Sequence, residues 1–408
     1  MPSTRIRVII TQICVTITHL CVMTFSVMDN PFVYGEIVPD DAFVGREAEL
    51  LRLVADLGDG QKVFLISPRR YGKSSLVRQA LKALGLRGAL TLEVTVSSHS
   101  SYVAFLEGYA RALAGLETKW QRARDWLVGG ITSTRPEVRY DARLAGVGAL
   151  SVAFPNVQTA RDVTRLANEL FALPGRIAAE RKRSVVVALD EFQAIDAFNG
   201  GSVEHALRGA AQQQRQVGYV FAGSEPSLME KMIGPRRPFY KAGPVMRLQK
   251  IPPDVFAAWI ERRFQKSGVR PEAGVGTAIV ELAGNLPYDV QRLAHETWDD
   301  VRAAGGRKAG LDNLHDTLSR LLAEQDTIFE AIWQRLTLAQ RTALRAVVLQ
   351  GGRALLSSDT AARHRLAAPS TTQRALSSLM NQEIVIKEDS QYVVVDSLLR
   401  EWVARKTF

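Results

Sequence analysis

The segment formed by residues 63–76, which reads VFLISPRRYGKSSL, constrains the fold of this chain more than any other. Its first four residues are apolar and predict a buried strand, and apolar residues at helical spacing follow over residues 75–84. Between them, residues 67–74 match the pattern G-x-x-x-x-G-K-[ST] at every specified position except the first, where Ser67 replaces Gly. A strand, such a loop and a helix in this order predict an α/β domain whose backbone N–H groups bind nucleotide phosphates.

The loop also assigns roles to single side chains. Lys73 is expected to reach the β- and γ-phosphates, and the Ser74 hydroxyl is expected to ligate Mg²⁺. The alternative is a chance Gly-Lys-Ser loop at the start of an ordinary helix. We predict ATP and Mg²⁺ as ligands, with nine consecutive residues at the nucleotide: Ser67, Pro68, Arg69, Arg70, Tyr71, Gly72, Lys73, Ser74 and Ser75.

A second motif, SVVVALDEFQAI, supplies two carboxylates. Its apolar run over residues 185–189 is typical of a central strand of a parallel sheet, which is buried on both faces. Asp190 and Glu191 follow at the carboxyl end of this strand, where α/β sheets bind their ligands. We expect Asp190 to hold Mg²⁺ through water and Glu191 to act as the general base on the attacking water. The alternative is a pair of surface carboxylates that ends a strand.

Composition bounds the class of protein. The 408 residues are enough for two or three domains, and 46% hydrophobic with 23% charged residues is typical of a globular protein. The net charge of +10 permits a nucleic-acid partner but does not require one. The only cysteines are Cys14 and Cys21, so no disulfide framework is expected beyond them, and no histidine spacing predicts zinc.

The first 27 residues carry an uncharged stretch over residues 8–27, which resembles a signal peptide or a membrane span. Polar residues interrupt the stretch and no small-residue cleavage site follows. We expect translation to start at Met28 and the protein to be cytoplasmic, because export would separate an ATPase from its ATP. A membrane anchor formed by this leader is the alternative.

Strands alternate with helices as far as about residue 250, which predicts a P-loop NTPase α/β fold with a parallel sheet flanked by helices. Residues 129–157 are expected to form a hairpin insertion, and residues 102–127 one or two helices. An all-helical lid is expected over residues 251–335. Three helices and a hairpin with its turn at Asp389-Ser390 predict a winged helix-turn-helix over residues 336–408, with Ser370 as a helix N-cap. The domains are thus 1–27, 28–250, 251–335 and 336–408.

Six motifs occur in order along the chain: NPFVYG, FVGRE, SPRRYGKSSL, VVVALDEFQAI, VFAGSEPSLM and GNLPYDVQRLA. Together they resemble the archaeal-type P-loop ATPases, relatives of the signal-transducing (STAND) ATPases and of the initiator-type AAA+ ATPases. The resemblance implies that Val44, Gly45 and Arg46 lie near the adenine and that Ser224 senses the γ-phosphate. It also implies an arginine-bearing loop, in which Arg236 or Arg237 contacts the γ-phosphate in cis or from a neighbouring copy.

These observations lead to a Mg²⁺-dependent ATPase that works as a molecular switch and passes its output to the winged helix. Duplex DNA is one expected partner, with Arg374 on the recognition helix and Lys387 on the hairpin as contacts, and a partner protein is the other. A catalytically slow nucleotide-binding scaffold with a regulatory or defence role is the alternative function, and an oligomer is compatible with either.

Overall fold

The computed structural model describes residues 30–35, 42–117, 120–140, 150–198, 201–388 and 390–406. The predicted leader, residues 1–27, and Asp389 of the predicted hairpin turn lie outside these ranges. Within the described part of the chain, no helix combines the length and apolar character needed to cross a membrane.

Five parallel strands form the central sheet in the order β2-β5-β6-β1-β7. Their register pairs Ile66 with Gly223 and Thr95 with Asp190, so the carboxyl ends of the strands meet at one edge. The strand that leads into the P-loop, β1, is therefore separated from the strand of Asp190 by β6. The strands are β1 (Lys62–Ile66), β2 (Leu90–Thr95), β5 (Val185–Asp190), β6 (Val217–Gly223) and β7 (Val245–Arg247).

Alternation of side chains along these strands fills two separate cores. Val63 and Leu65 pack on one face of the sheet with the first two helices, whereas Phe64 and Ile66 join a second core on the opposite face. The predicted parallel sheet covered by helices on both faces is confirmed. The helices of this domain are α1 (Glu47–Gly58), α2 (Lys73–Leu86), α3 (Tyr102–Ala114), α4 (Trp120–Gly130), α5 (Ala160–Arg181), α6 (Gly201–Gln213) and α7 (Pro226–Met232).

The predicted insertion is a two-stranded antiparallel hairpin of β3 (Glu137–Tyr140) and β4 (Leu150–Ala153). It packs beside α3, and the segment for which one or two helices were expected divides into α3 and α4. The edge strand β7 had not been predicted, because its three residues are too few to show a period.

The lid is helical except for one short parallel pair of strands that the sequence pattern did not predict. Its two-residue strands, β8 and β9, join the segment after the first lid helix to the segment before the last. The elements are α8 (Pro253–Lys266), β8 (Arg270–Pro271), α9 (Val275–Leu282), α10 (Pro287–Ala303), β9 (Lys308–Ala309) and α11 (Leu311–Arg335).

The C-terminal part has the helices and antiparallel hairpin of a winged helix, as predicted, and one further helix at its end. The prediction of Ser370 as an N-cap is wrong, because α14 begins at Pro369 with Ala368 in the capping position. Proline is favoured at the first helical position, where its missing N–H costs nothing. The elements are α12 (Leu338–Gln350), α13 (Ser358–His364), α14 (Pro369–Asn381), β10 (Val385–Glu388), β11 (Gln391–Val394) and α15 (Ser397–Arg405).

Phe221 contacts several other aromatic rings in the larger sheet core. It is fully buried, and its ring centroid lies 4.9 Å from that of Phe64 and 4.7 Å from that of Phe192. We expect Phe221→Ala to lower the free energy of unfolding by about 3–5 kcal/mol, because the cavity cannot collapse between a sheet and its helices. Urea unfolding measures this, with Leu51→Ala, at a 68% exposed position, as a control expected to change it by less than about 0.5 kcal/mol.

Candidate nucleotide-binding site

The P-loop begins at the end of β1 and runs directly into α2. Gly72 takes a left-handed backbone conformation, with φ of 84°, immediately before the first helical residue. Arg70 is also left-handed, with φ of 70°, but Ser67 is not. The Ser67 N–H instead donates to the Gly223 carbonyl at 3.2 Å and so extends the β1–β6 pairing. A serine is therefore accommodated at the first motif position without the backbone strain that glycine would relieve.

Lys73 at the start of α2 meets both carboxylates at the end of β5. Its ammonium forms an ion pair with Asp190 and lies 3.5 Å from a carboxylate oxygen of Glu191. The Ser74 hydroxyl donates to the other oxygen of Asp190 at 2.8 Å. Lys73 and Asp190 are buried, which makes their mutual neutralisation a condition for keeping either charge there. The structure thus brings together the four residues that the two motifs predicted.

Glu191 is held in place by two further side chains. It adopts a left-handed conformation with φ of 51°, and its Oε2 atom accepts hydrogen bonds from the Ser224 hydroxyl and, at 2.6 Å, from the Gln193 amide. Ser224 follows β6, the strand between β1 and β5, so its position beside Glu191 is a direct result of the strand order. Gln193 is a site residue that sequence reasoning missed, although it stands two residues after Glu191 in the quoted motif.

Lys73, Ser74, Glu191 and Ser224 line a cavity of about 270 Å³ between the sheet edge and the lid. Val44 and Arg46 contribute to its wall as the resemblance implied, whereas Gly45 and Ser67 do not. The far wall is apolar and comes from the lid and from the segment before α1. The lining residues are Val33, Tyr34, Gly35, Ala42, Phe43, Val44, Arg46, Pro68, Arg69, Arg70, Tyr71, Gly72, Lys73, Ser74, Ser75, Glu191, Ser224, Ile251, Phe256, Pro287, Tyr288 and Gln291.

Arg46 joins the P-loop to the segment that leads into the lid. It is 3% exposed, and its guanidinium donates to the carbonyl of Tyr71 at 3.3 Å and to that of Gln249. A pairing with Glu49 at 3.0 Å offsets part of the cost of burial, which lowers the pKa of Arg46. Arg46 therefore lines the cavity and also holds two segments of its wall together.

The structure does not bring Arg236 or Arg237 to this cavity. Arg237 pairs with Asp196 at 2.8 Å and with the buried carboxylate of Glu204. Arg236 is exposed in the left-handed conformation and makes no hydrogen bond or ion pair with any described residue.

Arg70 links the P-loop to two other parts of the molecule. One of its guanidinium nitrogens lies 3.2 Å from Asp289, at the start of α10, and 3.2 Å from Asp396, before α15. Asp289 is 5% exposed, and burial raises its pKa to about 6. These contacts join segments that are far apart in the sequence, and no local sequence motif predicts them.

Two hard oxygen donors beside Lys73 suit a magnesium ion. The Ser74 hydroxyl and the Asp190 carboxylate lie side by side, and Mg²⁺ is typically bound by one or two protein oxygens together with water and substrate phosphates. In the described residues, no group of three or more His, Cys, Asp or Glu side chains forms a complete protein cage for a metal. The donor set therefore fits an ion shared with a phosphate ligand.

Solved structures share the fold of this chain over nearly its whole length. The Walker-type ATPase PABY2304 of Pyrococcus abyssi aligns with a TM-score of 0.60 and 17% identity, covering 92% of this chain and 99% of its own. The ORC2 protein of Aeropyrum pernix aligns with a TM-score of 0.53 and 13% identity, covering 92% and 96%. This chain has the fold of a Walker-type ATPase. Identities this low establish the fold and leave the activity to be argued from the site.

The C-terminal part of this Walker-type fold is also matched by sequence. Residues 327–405 match the family described as "Probable winged helix domain". The matched range begins within α11, the last helix of the lid. A search of the curated proteins finds no match.

Asp289 predicts a pH dependence of stability. Its folded pKa of about 6 exceeds the ordinary 3.8, so the folded state holds the extra proton and stability falls as pH rises through that interval. From pH 4 to pH 7 the wild type should lose about 2 kcal/mol of unfolding free energy relative to Asp289→Asn, which has no such proton to release. Urea unfolding followed by tryptophan fluorescence checks this. Parallel pH profiles of the two proteins would contradict it.

Proposed function

We propose that this chain is a Mg²⁺-dependent ATPase that works as a molecular switch. The observation that carries the proposal is the convergence of Lys73, Ser74, Asp190 and Glu191 at one sheet edge, beside a helix N-terminus. A helix N-terminus with an adjacent lysine binds phosphate groups, and a carboxylate held beside it can accept a proton from water.

Each of these residues has a defined task in the proposed reaction. Lys73 exchanges its carboxylate partners for the β- and γ-phosphates of ATP. Ser74 and Asp190 hold Mg²⁺, which neutralises phosphate charge when bound. Glu191 accepts the proton of the attacking water, and the hydrogen bonds from Ser224 and Gln193 fix the direction of its carboxylate.

The names of two structural neighbours support the proposal. PABY2304 is named a Walker-type ATPase, and the Aeropyrum pernix ORC2 protein is described in ADPNP–ADP complexes. Arg236 fits a role in an oligomer, because it is exposed and forms no hydrogen bond or ion pair among the residues that the structure describes. We infer that it is the better candidate for an arginine that reaches the nucleotide of a neighbouring copy, whereas Arg237 stabilises its own loop.

We further propose that the winged helix receives the output and contacts duplex DNA. The first half of α14 exposes Gln373 and Arg374, and Arg363 and Arg365 lie exposed on and after α13. Lys387 is exposed on β10, with its ammonium 5.7 Å from the centroid of the Tyr392 ring. Amide and guanidinium groups on a helix of this kind can read base edges, and the other cations can meet phosphates.

Substitution of the general base tests the ATPase. We expect Glu191→Gln to lower Mg²⁺-dependent ATP turnover by at least about 100-fold, because the amide cannot accept the proton of water. Phosphate release under saturating ATP measures it, with Glu230→Gln as the control, since Glu230 is an exposed carboxylate paired with Arg247 in the same domain. Tight ATP binding with equal, slow turnover in all three proteins would favour the nucleotide-binding scaffold instead.

Removal of one positive charge from the recognition helix tests DNA binding. We expect Arg374→Gln to weaken binding of duplex DNA and to change the slope of log affinity against log salt by about one, because one phosphate or base contact is lost. Fluorescence anisotropy measures both quantities, and Arg307→Gln, exposed on the lid, is the control. If no variant binds duplex DNA at any salt concentration, a protein partner becomes the output of the winged helix.

A further inference from the structure

The lid and the winged helix pack against each other and form one structural unit. A single apolar core runs through both, and Trp333 and Phe329 of α11 lie with their ring centroids 6.1 Å from that of Trp402 in α15. The indole N–H of Trp402 donates to Asp326 at 2.7 Å. Because a shared core resists separation, movement of one of these parts should carry the other with it.

Polar contacts reinforce this connection at a second place. The Arg400 guanidinium of α15 donates to the carbonyls of Glu281 and Leu282, at 3.0 and 2.9 Å, which are the last residues of the lid helix α9. A cation at the carboxyl end of a helix is stabilised by the helix dipole as well as by these hydrogen bonds. We call the joined lid and winged helix, residues 253–388 and 390–406, the lid–wing body.

Charged contacts connect the lid–wing body to the outer side of the P-loop. Three consecutive P-loop residues each bind a different acidic residue of the winged helix. Arg69 pairs with Glu383 at 2.9 Å, Arg70 with Asp396 at 3.2 Å, and the Tyr71 hydroxyl donates to Glu388. Lys250, on the segment before the lid, adds an ion pair to Glu388 at 3.2 Å.

The same P-loop segment separates two cavities. Arg69 and Tyr71 line the nucleotide cavity on one side, and on the other they line a cavity of about 260 Å³ that is closed by Glu383, Glu388 and the apolar side chains of the wing hairpin β10–β11. The docked acidic residues are therefore one loop thickness away from the place where the triphosphate is expected. Charges of like sign at such separation repel each other, and both attract the same arginines.

We propose that docking of the lid–wing body on the P-loop and binding of ATP oppose each other. Glu383, Glu388 and Asp396 act as a protein anion that competes with the triphosphate for the cationic loop. ATP binding then weakens the docked state, rotates the lid–wing body and exposes the wing hairpin. This inference rests on the proposed nucleotide site, but it does not require hydrolysis.

Reciprocity makes the proposal measurable, because two antagonistic binding events weaken each other by the same factor. We choose Glu383→Gln with Asp396→Asn, since neither residue lines the nucleotide cavity and Asn preserves the N-cap that Asp396 forms for α15. The control pair is Glu401→Gln with Asp359→Asn, which removes the same charge from the same domain. Glu401 pairs with Arg400 and Asp359 lies in α13, so neither contacts the P-loop.

The affinity of the full chain for the imido analogue ADPNP with Mg²⁺, measured by titration calorimetry, is the first readout. Each removed pair should tighten binding roughly two- to fivefold, and the double variant roughly tenfold, because exposed ion pairs contribute this much to the docked state. The control pair should leave the affinity unchanged. Equal or weaker binding by the double variant would overturn the proposal.

The distance between the two bodies is the second readout. Spin labels at Leu86→Cys and Leu338→Cys, positions 82% and 80% exposed, report it by pulsed EPR in a chain with Cys14→Ser and Cys21→Ser. We expect ADPNP to shift the distance distribution of the wild type, and the double variant to show the shifted distribution without nucleotide. Binding of ADPNP with no shift overturns this inference alone. Failure to bind any nucleotide overturns it together with the proposed ATPase.

Discussion

The buried ion pair between Lys73 and Asp190 is the interaction on which the candidate site depends. It joins the first turn of α2 to the end of β5 across the intervening strand β6, and it can form only because the parallel strands end at one edge in register. Breaking such a pair leaves an uncompensated charge in the protein interior, which costs more than the pair itself contributes. The site is therefore arranged so that only another anion, such as a phosphate, can replace the carboxylate without loss.

Much of the candidate site could be predicted from the sequence, because the sequence signals for its strands and polar residues are local. The apolar runs before Ser67 and Asp190 mark strands, and the polar residues that follow them must lie at the carboxyl edge of a parallel sheet. Glu191 could be predicted for the same reason, because it follows a strand, whereas the role of Ser224 was implied by the family resemblance of the motif VFAGSEPSLM. The roles of Ser67 and Gln193 could not, because they depend on backbone conformation and on a neighbour brought close by the strand order.

The elements that sequence reasoning missed are short or depend on tertiary contacts. β7, β8 and β9 have two or three residues each, which is too few to show a period of two. The final helix α15 did carry a usable signal, since Asp396 caps a run whose apolar residues Leu398, Leu399, Trp402 and Val403 recur at helical spacing. The contact of Arg70 with both Asp289 and Asp396 has no such signal, because an exposed arginine in a loop predicts no partner.

The P-loop has two sides, and its sequence pattern constrains only one of them. The required glycine, lysine and hydroxyl serve the backbone turn and the phosphates, whereas the four unspecified positions project side chains that phosphate binding does not restrict. In this chain, three of those positions, Arg69, Arg70 and Tyr71, bind the winged helix. A loop that must change its contacts when a phosphate arrives is thus attached directly to the domain that carries the candidate output. Coupling between the phosphate site and the winged helix therefore has to cross only the thickness of that loop.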